Sequence, residues 1–539
     1  MNILSDLKMY GRFIWGLRGF LKQTLTLEEA KAIIKKRMEE RETNFLRLVR
    51  RGIFGYPKSP YLPLLKLAQC EMGDIENMVR AKGLEGTLQA LREAGVYITF
   101  EEFKGREPMV RNGKLIPVKT HDFDNPYLNA FYYSKSGGTT GPGTRVAIDL
   151  EHLAAQVPNI MISHDCHGAL NLPTAIWFPI PPDSTALISI LYRARFGQTP
   201  QKWFSPITNQ HIRPSLVNYL IPRSFVGLGR LYGVPIPSPE FVPMDQAAVI
   251  ANWASKSLMA SEKCLILCHV SQALRVCVYA QEKGIDLSGT FFWSGGEPPT
   301  PVKINEIART GAHLIPMYIF TEVGYVGVGC SNPADCNDIH LFKDLLALTQ
   351  YFRRQTDANI PAGSFHFTTL LPTAPKILLN VESDDYGIVE KRACSCPMES
   401  YGFTEHLREI RSFRKLTGEG VTLIGSEMIH ILEELLPARF GGTSLNYQLV
   451  EEEDERGFTR LSLFISPRVG KINEEVVIDT VLKALERSGV SANLARAIWS
   501  QTKTLRVRRM EPIFTNRGKL MPLHLMKKSE NSEKNGEVS

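Results

Sequence analysis

The chain has 539 residues, of which 43% are hydrophobic and 22% are charged. This length suits two or three domains with a sizeable core, and the composition excludes a largely disordered protein. The net charge of +7 suits an anionic ligand such as a nucleotide. Because it is spread over the whole length and accompanies no nucleic-acid motif, it argues against DNA or RNA as a partner.

Nine cysteines are present. Their odd number and the lack of a secretory signal predict a reduced, cytoplasmic protein. The uncharged stretch from Cys166 to Pro182 contains several prolines and therefore does not predict a transmembrane helix. The polar segment 528–539 is predicted to be a disordered tail.

The N-terminal part of the chain predicts helices. Thr26 precedes Glu28 and Glu29 as an N-cap, and helical spacing continues beyond them, so we predict a helical extension over residues 1–95. Residues 1–24 mix aromatic with cationic side chains. A helix packed on the protein is the favoured interpretation, and a helix lying on a membrane surface is the alternative.

From residue 96 onward, segments typical of strands and helices alternate. The apolar run Cys264–Cys268 is followed by the helix-like Gln272–Lys283 and the strand-like Thr290–Trp293. This order is typical of βαβ units. The sequence therefore predicts an α/β fold, with a large domain of mixed or parallel sheets flanked by helices over residues 96–410.

The last part of the chain has a different pattern. Asn446–Val450 and Leu461–Ile465 are strand-like, with an acidic run and Gly457 between them as a hairpin turn. Apolar residues then recur at helical spacing up to Leu485. These features predict a small α+β domain over residues 411–527, joined by a hinge near Arg408–Gly420.

A loop rich in glycine and hydroxyl residues spans positions 136–145 and reads SGGTTGPGTR. Glycines let the backbone approach phosphate oxygens, and amides and hydroxyls donate hydrogen bonds to them. Strand-like segments flank the loop, so it should connect a hairpin, and the Gly-Lys-Ser/Thr of a Walker P-loop is absent. The candidate phosphate-binding residues are Ser136, Gly137, Gly138, Thr139, Thr140, Gly141 and Arg145.

This loop resembles the signature loop of the adenylate-forming enzymes, which holds the β- and γ-phosphates of ATP. Arg145 stands where that family usually has lysine. Further motifs follow in the family's order, and residues 100–525 resemble its phenylacetate–CoA ligase branch. The resemblance implies a large domain that binds ATP and a carboxylic acid, and a mobile C-terminal lid.

Two motifs resemble the family's adenine and metal sites. Gly296 and Glu297 belong to a Gly-Gly-Glu turn that the resemblance places beside adenine. The segment YIFTE at 318–322 resembles the family's Tyr-Gly-x-Thr-Glu. This implies that Tyr318 stacks on adenine, Thr321 lies near the α-phosphate and Glu322 binds Mg²⁺, for which a carboxylate is a suitable ligand.

Two more motifs complete the resemblance. Asp384 aligns with the aspartate that binds the ribose hydroxyls, with Asp385 as the alternative. The C-terminal TNRGK resembles the family's Thr-x-x-Gly-Lys loop, which implies that Lys519 stabilises charge in the adenylation transition state. The usual hinge string is not kept, and either Arg411 or Arg414 is its stand-in.

Four cysteines cluster in sequence around one histidine, and thiolates with an imidazole suit tetrahedral Zn²⁺. Some members of the resembled branch carry a similar set. That likeness implies Cys336, His340, Cys394 and Cys396 as zinc ligands, with Cys330 as a substitute for one. Reduced buried thiols are the alternative.

Together these motifs predict an enzyme that uses MgATP to convert a carboxylic acid to acyl-AMP and then transfers the acyl group to a thiol, with coenzyme A as the default. Aromatic and apolar segments near residues 177–182, 192–196 and 268–272 favour an aryl or fatty acid. The alternatives are an amine acceptor, a carrier-protein thiol, a membrane-surface acyl-handling protein and a non-catalytic nucleotide-binding scaffold.

Overall fold

The computed structural model describes residues 11, 15–128, 132–135, 145–181, 183–208, 216–352, 363–412, 415–419, 421–424, 426–486, 490–514, 520 and 523–525. Within these ranges, no helix combines the length and apolar character that a membrane span requires. The prediction of an α/β fold is confirmed: a large mixed sheet flanked by helices is followed by a smaller sheet near the C-terminus.

Apart from a helical stretch over residues 15–22, the α-helices of the described residues lie mostly in the N-terminal extension and between the strands of the large sheet. They are α1 Leu27–Glu39, α2 Arg41–Val49, α3 Tyr61–Leu67, α4 Met72–Glu93, α5 Phe100–Phe103, α6 Leu150–Cys166, α7 Thr185–Arg195, α8 Leu216–Leu231, α9 Ala247–Ser261, α10 Val270–Lys283, α11 Pro301–Ala308, α12 Ser426–His430, α13 Leu436–Phe440, α14 Glu474–Glu486 and α15 Val490–Thr502.

The strands run through the rest of the chain. They are β1 Met109–Arg111, β2 Lys114–Ile116, β3 Tyr132–Lys135, β4 Arg145–Ile148, β5 Thr174–Trp177, β6 Lys202–Ser205, β7 Pro239–Phe241, β8 Cys264–His269, β9 Thr290–Gly295, β10 His313–Phe320, β11 Gly324–Gly329, β12 Ile339–Leu341, β13 Leu346–Tyr351, β14 Gly363–Thr369, β15 Val381–Lys391, β16 Glu405–Ser412, β17 Lys415–Gly418, β18 Val421–Ile424, β19 Tyr447–Glu453, β20 Thr459–Ile465, β21 Leu505–Arg509 and β22 Leu523–Leu525.

The large sheet has twelve strands in the order β13-β14-β15-β16-β12-β11-β10-β9-β8-β5-β6-β7. Neighbours from β10 to β7 pair in parallel, and those from β13 to β10 pair antiparallel. Helices α7 to α11 connect successive parallel strands. Because helices cover parallel strands on both faces, β8 is an almost unbroken buried apolar run, as its sequence predicts.

The N-terminal extension packs on this body. Helix α1 begins with a capping box between Thr26 and Glu29, which satisfies free backbone groups at the helix start. Its residues Ala30 and Ile34 are buried, and α1 packs against α6. The extension therefore shares the main hydrophobic core.

The C-terminal sheet has four strands in the order β21-β20-β19-β22, with β19 and β20 antiparallel and the outer strands parallel to their neighbours. Helices α14 and α15 pack on each other, and Val477, Val481 and Leu485 are buried as their helical spacing predicts. The hairpin β17–β18 precedes this unit. Strand β16 stays in the large sheet up to Ser412, where it pairs with Asp385.

Candidate active site

The carboxyl ends of the parallel strands form the edge at which α/β sheets bind ligands. His269 ends β8 and Gly295 ends β9, and the His269 Nδ1 atom lies 2.9 Å from the Gly295 carbonyl oxygen. The Phe178 ring, just after β5, lies edge-on to the His269 ring at 5.0 Å. His269 thus lies at this edge of the sheet; the sequence analysis included it only within the segment 268–272, although its position at a strand end singles it out.

The Gly-Gly-Glu turn follows β9 directly. Gly296 has a φ of +85°, which favours glycine. The Glu297 carboxylate is buried and accepts hydrogen bonds from the Ser271 backbone N (2.5 Å) and Oγ (2.7 Å). Because Ser271 lies in the first turn of α10, the carboxylate also meets the positive end of that helix. Through these contacts, Glu297 holds the Gly-Gly-Glu turn against the start of α10.

Glu297 also connects the turn with the C-terminal sheet. The Lys303 Nζ atom lies 3.6 Å from a Glu297 oxygen and donates a hydrogen bond to Thr459 Oγ1 in β20 at 3.1 Å. Thr300 Oγ1 donates a hydrogen bond to Glu453 in β19 at 2.5 Å. The segment that leads from the predicted adenine turn into α11 is therefore in polar contact with the smaller unit.

A buried ion pair joins the region of the predicted hinge to the large sheet's helices. The Nη2 and Nε atoms of Arg275 in α10 donate hydrogen bonds to the two Glu419 carboxylate oxygens, at 2.5 and 3.1 Å. Glu419 is 1% exposed and has a φ of +55°. Burial raises the pKa of Glu419 despite the opposing effect of Arg275. Of the two predicted hinge residues, Arg411 pairs with Tyr386 in the large sheet, and Arg414 lies outside the described residues.

Tyr318 lies near the end of β10, beside a bulge that separates it from Ile319. The Tyr318 hydroxyl donates a hydrogen bond to Asp385 Oδ2 at 2.7 Å. Burial, followed by the Asp385 charge, raises the Tyr318 pKa well above its ordinary value. Asp384 is next to this contact and is 3% exposed. The structure therefore brings Tyr318 into contact with Asp385, the alternative ribose-binding candidate, and Asp384 is the adjacent residue of β15.

Thr321 and Glu322 occupy the turn between β10 and β11. The Glu322 carboxylate is buried and lies 2.9 Å from the Lys104 Nζ atom. Burial acts to raise the Glu322 pKa, but Lys104, Lys376 and a backbone hydrogen bond together outweigh it, so the pKa is lowered. A carboxylate is the oxygen ligand that Mg²⁺ prefers. Here, however, a protein cation already compensates its charge, so the site as it stands does not fit a metal ion at that oxygen.

The predicted phosphate loop and the predicted catalytic lysine fall largely outside the described residues. Arg145 begins β4, whose antiparallel pairing with β3 confirms that the loop segment joins two paired strands. The remaining predicted residues lie outside the described part of the chain; they are Ser136, Gly137, Gly138, Thr139, Thr140, Gly141 and Lys519.

A cluster of sulfur and nitrogen atoms lies at the opposite end of β11. The possible ligand atoms of Cys330, His340, Cys394 and Cys396 all lie within 4.8 Å of one another, and all four residues are buried. This set differs from the predicted one because Cys330 takes the place of Cys336. The Cys336 Sγ atom instead lies 3.6 Å from the Pro299 carbonyl oxygen.

The strand pairing explains why Cys330, and not Cys336, belongs to the cluster. Cys330 directly follows β11, whose Val328 pairs with His340 in β12, whereas Cys336 lies within the connection between the two strands. The His340 Nδ1 atom bonds the Phe403 carbonyl oxygen at 2.7 Å, which leaves Nε2 to face the Cys394 sulfur at 3.8 Å. Such an outer hydrogen bond orients histidine ligands of metals.

The cluster suits zinc chemically. The hydrogen bond between the Cys330 and Cys396 thiols lowers the pKa of Cys396 and raises that of Cys330, so one thiolate, the form that binds metal, is favoured within the pair. Three sulfurs and one imidazole would supply the four ligands of a tetrahedral zinc ion, the number typical of structural rather than catalytic zinc.

No protein-family model matches the chain, and no curated protein matches it closely enough to count as a relative. Solved structures do match. One is 2-hydroxyisobutyryl-CoA ligase in complex with 2-HIB-AMP and CoA in the thioesterification state, with 13% identity, a TM-score of 0.53, and coverage of 96% of this chain and 94% of that chain. Another is the amide bond synthetase Mcba from Marinactinospora thermotolerans, with 9% identity, a TM-score of 0.42, and coverage of 93% and 94%.

The first of these matches extends over nearly the whole length of both chains and includes the large sheet and the C-terminal unit. At this level of identity it establishes the architecture alone. The chain therefore has the fold of the adenylate-forming ligases.

Proposed function

We propose that this protein is an AMP-forming ligase that activates a carboxylic acid as acyl-AMP and releases pyrophosphate. The observation that carries the proposal is that three of the resembled motifs, the Gly-Gly-Glu turn, Tyr318 and the aspartates of β15, lie beside one another in the large sheet. Gly295 lies so close to β10 that a Cβ there would meet the Met317 carbonyl oxygen at 3.3 Å. Tyr318, the next residue, contacts Asp385. The adenine turn, the tyrosine and the aspartates thus adjoin one another.

In the proposed reaction a carboxylate oxygen of the acid attacks the α-phosphorus of ATP. The bond from that phosphorus to the bridging oxygen breaks, and pyrophosphate leaves with its electron pair. Most of the catalysis is positioning and charge stabilisation. Tyr318 and the Gly-Gly-Glu turn would hold adenine, Asp384 would accept hydrogen bonds from the ribose, and Thr321 would lie near the α-phosphate.

The glycine-rich loop and Lys519 complete the proposal. Donors of the loop and Arg145 would hold the β- and γ-phosphates, and Lys519 would stabilise the charge that develops at the α-phosphate. Mg²⁺ bound by the nucleotide would neutralise phosphate charge. These roles rest on the motif resemblance.

The proposed acceptor is the thiol of coenzyme A, which makes the protein an acid–thiol ligase similar to the phenylacetate–CoA ligases. Sequence resemblance supports the branch, and the CoA-bound ligase of the same fold supports the acceptor. An amine or a carrier-protein thiol would accept the acyl group by the same chemistry. Buried Phe178, Tyr192 and Phe196 favour an aryl or fatty acid.

We further propose that Cys330, His340, Cys394 and Cys396 bind a structural Zn²⁺. The support is the mutual approach of four buried ligands and the hydrogen bond that orients His340. The ion would join the segment after β11 to the segment that precedes β16. Since four protein ligands leave no open position, the ion would stabilise the fold and take no part in the reaction.

The test of the main proposal is acid-dependent ATP–pyrophosphate exchange over a panel of aryl and fatty acids. Lys519→Ala is expected to lose exchange by about 100-fold or more, as expected when a transition-state charge partner is removed. Lys471→Ala, which removes an exposed lysine of the same C-terminal unit, is the matched control and should retain it. ATP binding without exchange for any acid would favour the non-catalytic scaffold. Failure to bind ATP would reject the proposal.

A further inference from the structure

The short helix α5 places Lys104 beside Glu322, the predicted metal ligand. Helix α5 is fixed at its start by a capping box between Thr99 and Glu102, and Lys104 follows its last residue. The Lys104 Nζ atom lies 2.9 Å from Glu322 Oε1, and the two side chains are only 13% and 8% exposed. This is a contact built into the fold and not a chance approach of surface side chains.

Aromatic rings hold the lysine in place. The Nζ atom lies 5.5 Å from the Phe100 ring centre and 5.4 Å from that of Phe103, distances at which an ammonium group is attracted to an aromatic ring. The positive charge is therefore stabilised from both sides, by the rings of α5 and by the Glu322 carboxylate. Lys104 was not among the residues that the sequence motifs singled out.

A buried lysine and a divalent cation compete for the same carboxylate. Two positive charges a few ångströms apart in a poorly hydrated site repel each other strongly. The buried Lys376 also contributes positive charge around Glu322, although its own Nζ atom is paired with Asp124. A metal ion can therefore bind Glu322 tightly only when the ammonium group has moved away.

We propose that Lys104 is the resident counter-ion of Glu322 and that it sets the affinity of this carboxylate for a divalent cation. The role of Glu322 as a metal ligand comes from the motif resemblance, and the inference therefore rests on the proposed function. Lys104 acts through Glu322 and is a positioning residue. While Lys104 is in place, its ammonium group neutralises the Glu322 carboxylate. The nucleotide phosphates then remain the principal ligands of the metal ion.

The experiment is a Mn²⁺ titration of the full chain without nucleotide, followed by electron paramagnetic resonance. Lys104→Gln removes the charge and retains a hydrogen-bond donor toward the buried carboxylate. We expect it to bind one Mn²⁺ at least tenfold more tightly than the wild type, and the added substitution Glu322→Gln should abolish that gain. Lys104→Arg, which keeps the charge, should match the wild type.

Equal Mn²⁺ affinity of the wild type and Lys104→Gln would overturn the inference, as would a gain that survives Glu322→Gln. Lys104→Met serves the same comparison if the glutamine variant does not fold. The titration involves no turnover, so it decides the inference whether or not the enzyme shows ATP–pyrophosphate exchange. ATP–pyrophosphate exchange measured on the same preparations tests the proposed function separately. If the wild type shows no exchange, that function is rejected, and the Mn²⁺ result is unaffected.

Discussion

The Tyr318 hydroxyl donates a hydrogen bond to Asp385 Oδ2 across 2.7 Å, and this contact joins the end of β10 to β15 four strands away in the sheet. The other oxygen of Asp385 accepts a hydrogen bond from Ser412 in β16. Both carboxylate oxygens of Asp385 therefore accept hydrogen bonds from side chains of the protein. Its neighbour Asp384 lies on the same strand, where successive side chains face opposite sides. The two aspartates thus have separable roles.

We expect Asp384→Asn to raise the KM for ATP in the exchange assay about tenfold, since about 1.4 kcal/mol of ribose binding corresponds to that factor. Asp385→Asn should mainly lower the free energy of unfolding, by about 1–2 kcal/mol, because it weakens two hydrogen bonds to a charged group. Kinetics and urea unfolding of both variants measure the two effects. The opposite pattern would assign the ribose to Asp385.

The Arg275–Glu419 pair is predicted to hold the β17–β18 region against α10. Arg275→Met leaves the Glu419 carboxylate buried without a partner, and such a change costs about 3–5 kcal/mol. Arg456→Ala breaks the exposed pair with Glu282 and should cost less than about 1 kcal/mol.

Urea unfolding together with hydrogen exchange of residues 415–424 measures both changes. If the Arg275→Met loss is no larger than that of Arg456→Ala, the buried pair does not hold this region. Because burial raises the Glu419 pKa, the unpaired carboxyl should be less costly at pH 5, where it can take up a proton, than at pH 8.

Zinc content distinguishes the four clustered ligands from the nearby cysteine. Protein produced with added zinc is expected to carry about one Zn²⁺ per chain by elemental analysis, as a complete four-ligand shell implies. Cys396→Ser should lose the metal and lower the melting temperature. Cys336→Ser, the matched control outside the cluster, should keep both. Metal loss in both Cys336→Ser and Cys396→Ser would instead support the ligand set that the sequence predicts.

Acid should destabilise the fold through His152. Burial, above all, lowers the His152 pKa from 6.5 to about 4. The unfolded chain takes up this proton below pH 6.5 and the folded chain only near pH 4, so stability is lost as the pH falls through this window.

Integrated from pH 7 to pH 5, this difference amounts to about 2 kcal/mol. Urea unfolding at the two pH values measures it. His152→Gln removes the titrating group and should show a loss smaller by that amount. An equal loss in both proteins would mean that other groups, such as His164, account for the acid sensitivity.

Sequence reasoning worked where local pattern reflects the final environment. The run Cys264–Cys268 is almost entirely apolar because β8 is covered on both faces. Val477, Val481 and Leu485 recur at helical spacing because one face of α14 is buried. Such patterns depend only on which side of an element meets the core, and they predicted the α/β fold and the separate C-terminal sheet.

It was less successful where residues distant in the chain meet. Nothing local distinguishes Cys330 from Cys336 as a partner of His340; the register of β11 with β12 decides it. The Lys104–Glu322 pair spans 218 positions and has no sequence signature, and the same holds for Arg275 with Glu419.

By itself, the sequence determined the class of fold, the order of the motifs and the chemical types of the candidate ligands, because these follow from residue identity and short-range periodicity. Only the tertiary structure decided which thiols share a site, which aspartate is engaged by Tyr318 and which cation neutralises Glu322. The physical reason is that charge compensation and coordination depend on distances of a few ångströms between atoms, and these distances are set when the sheet assembles.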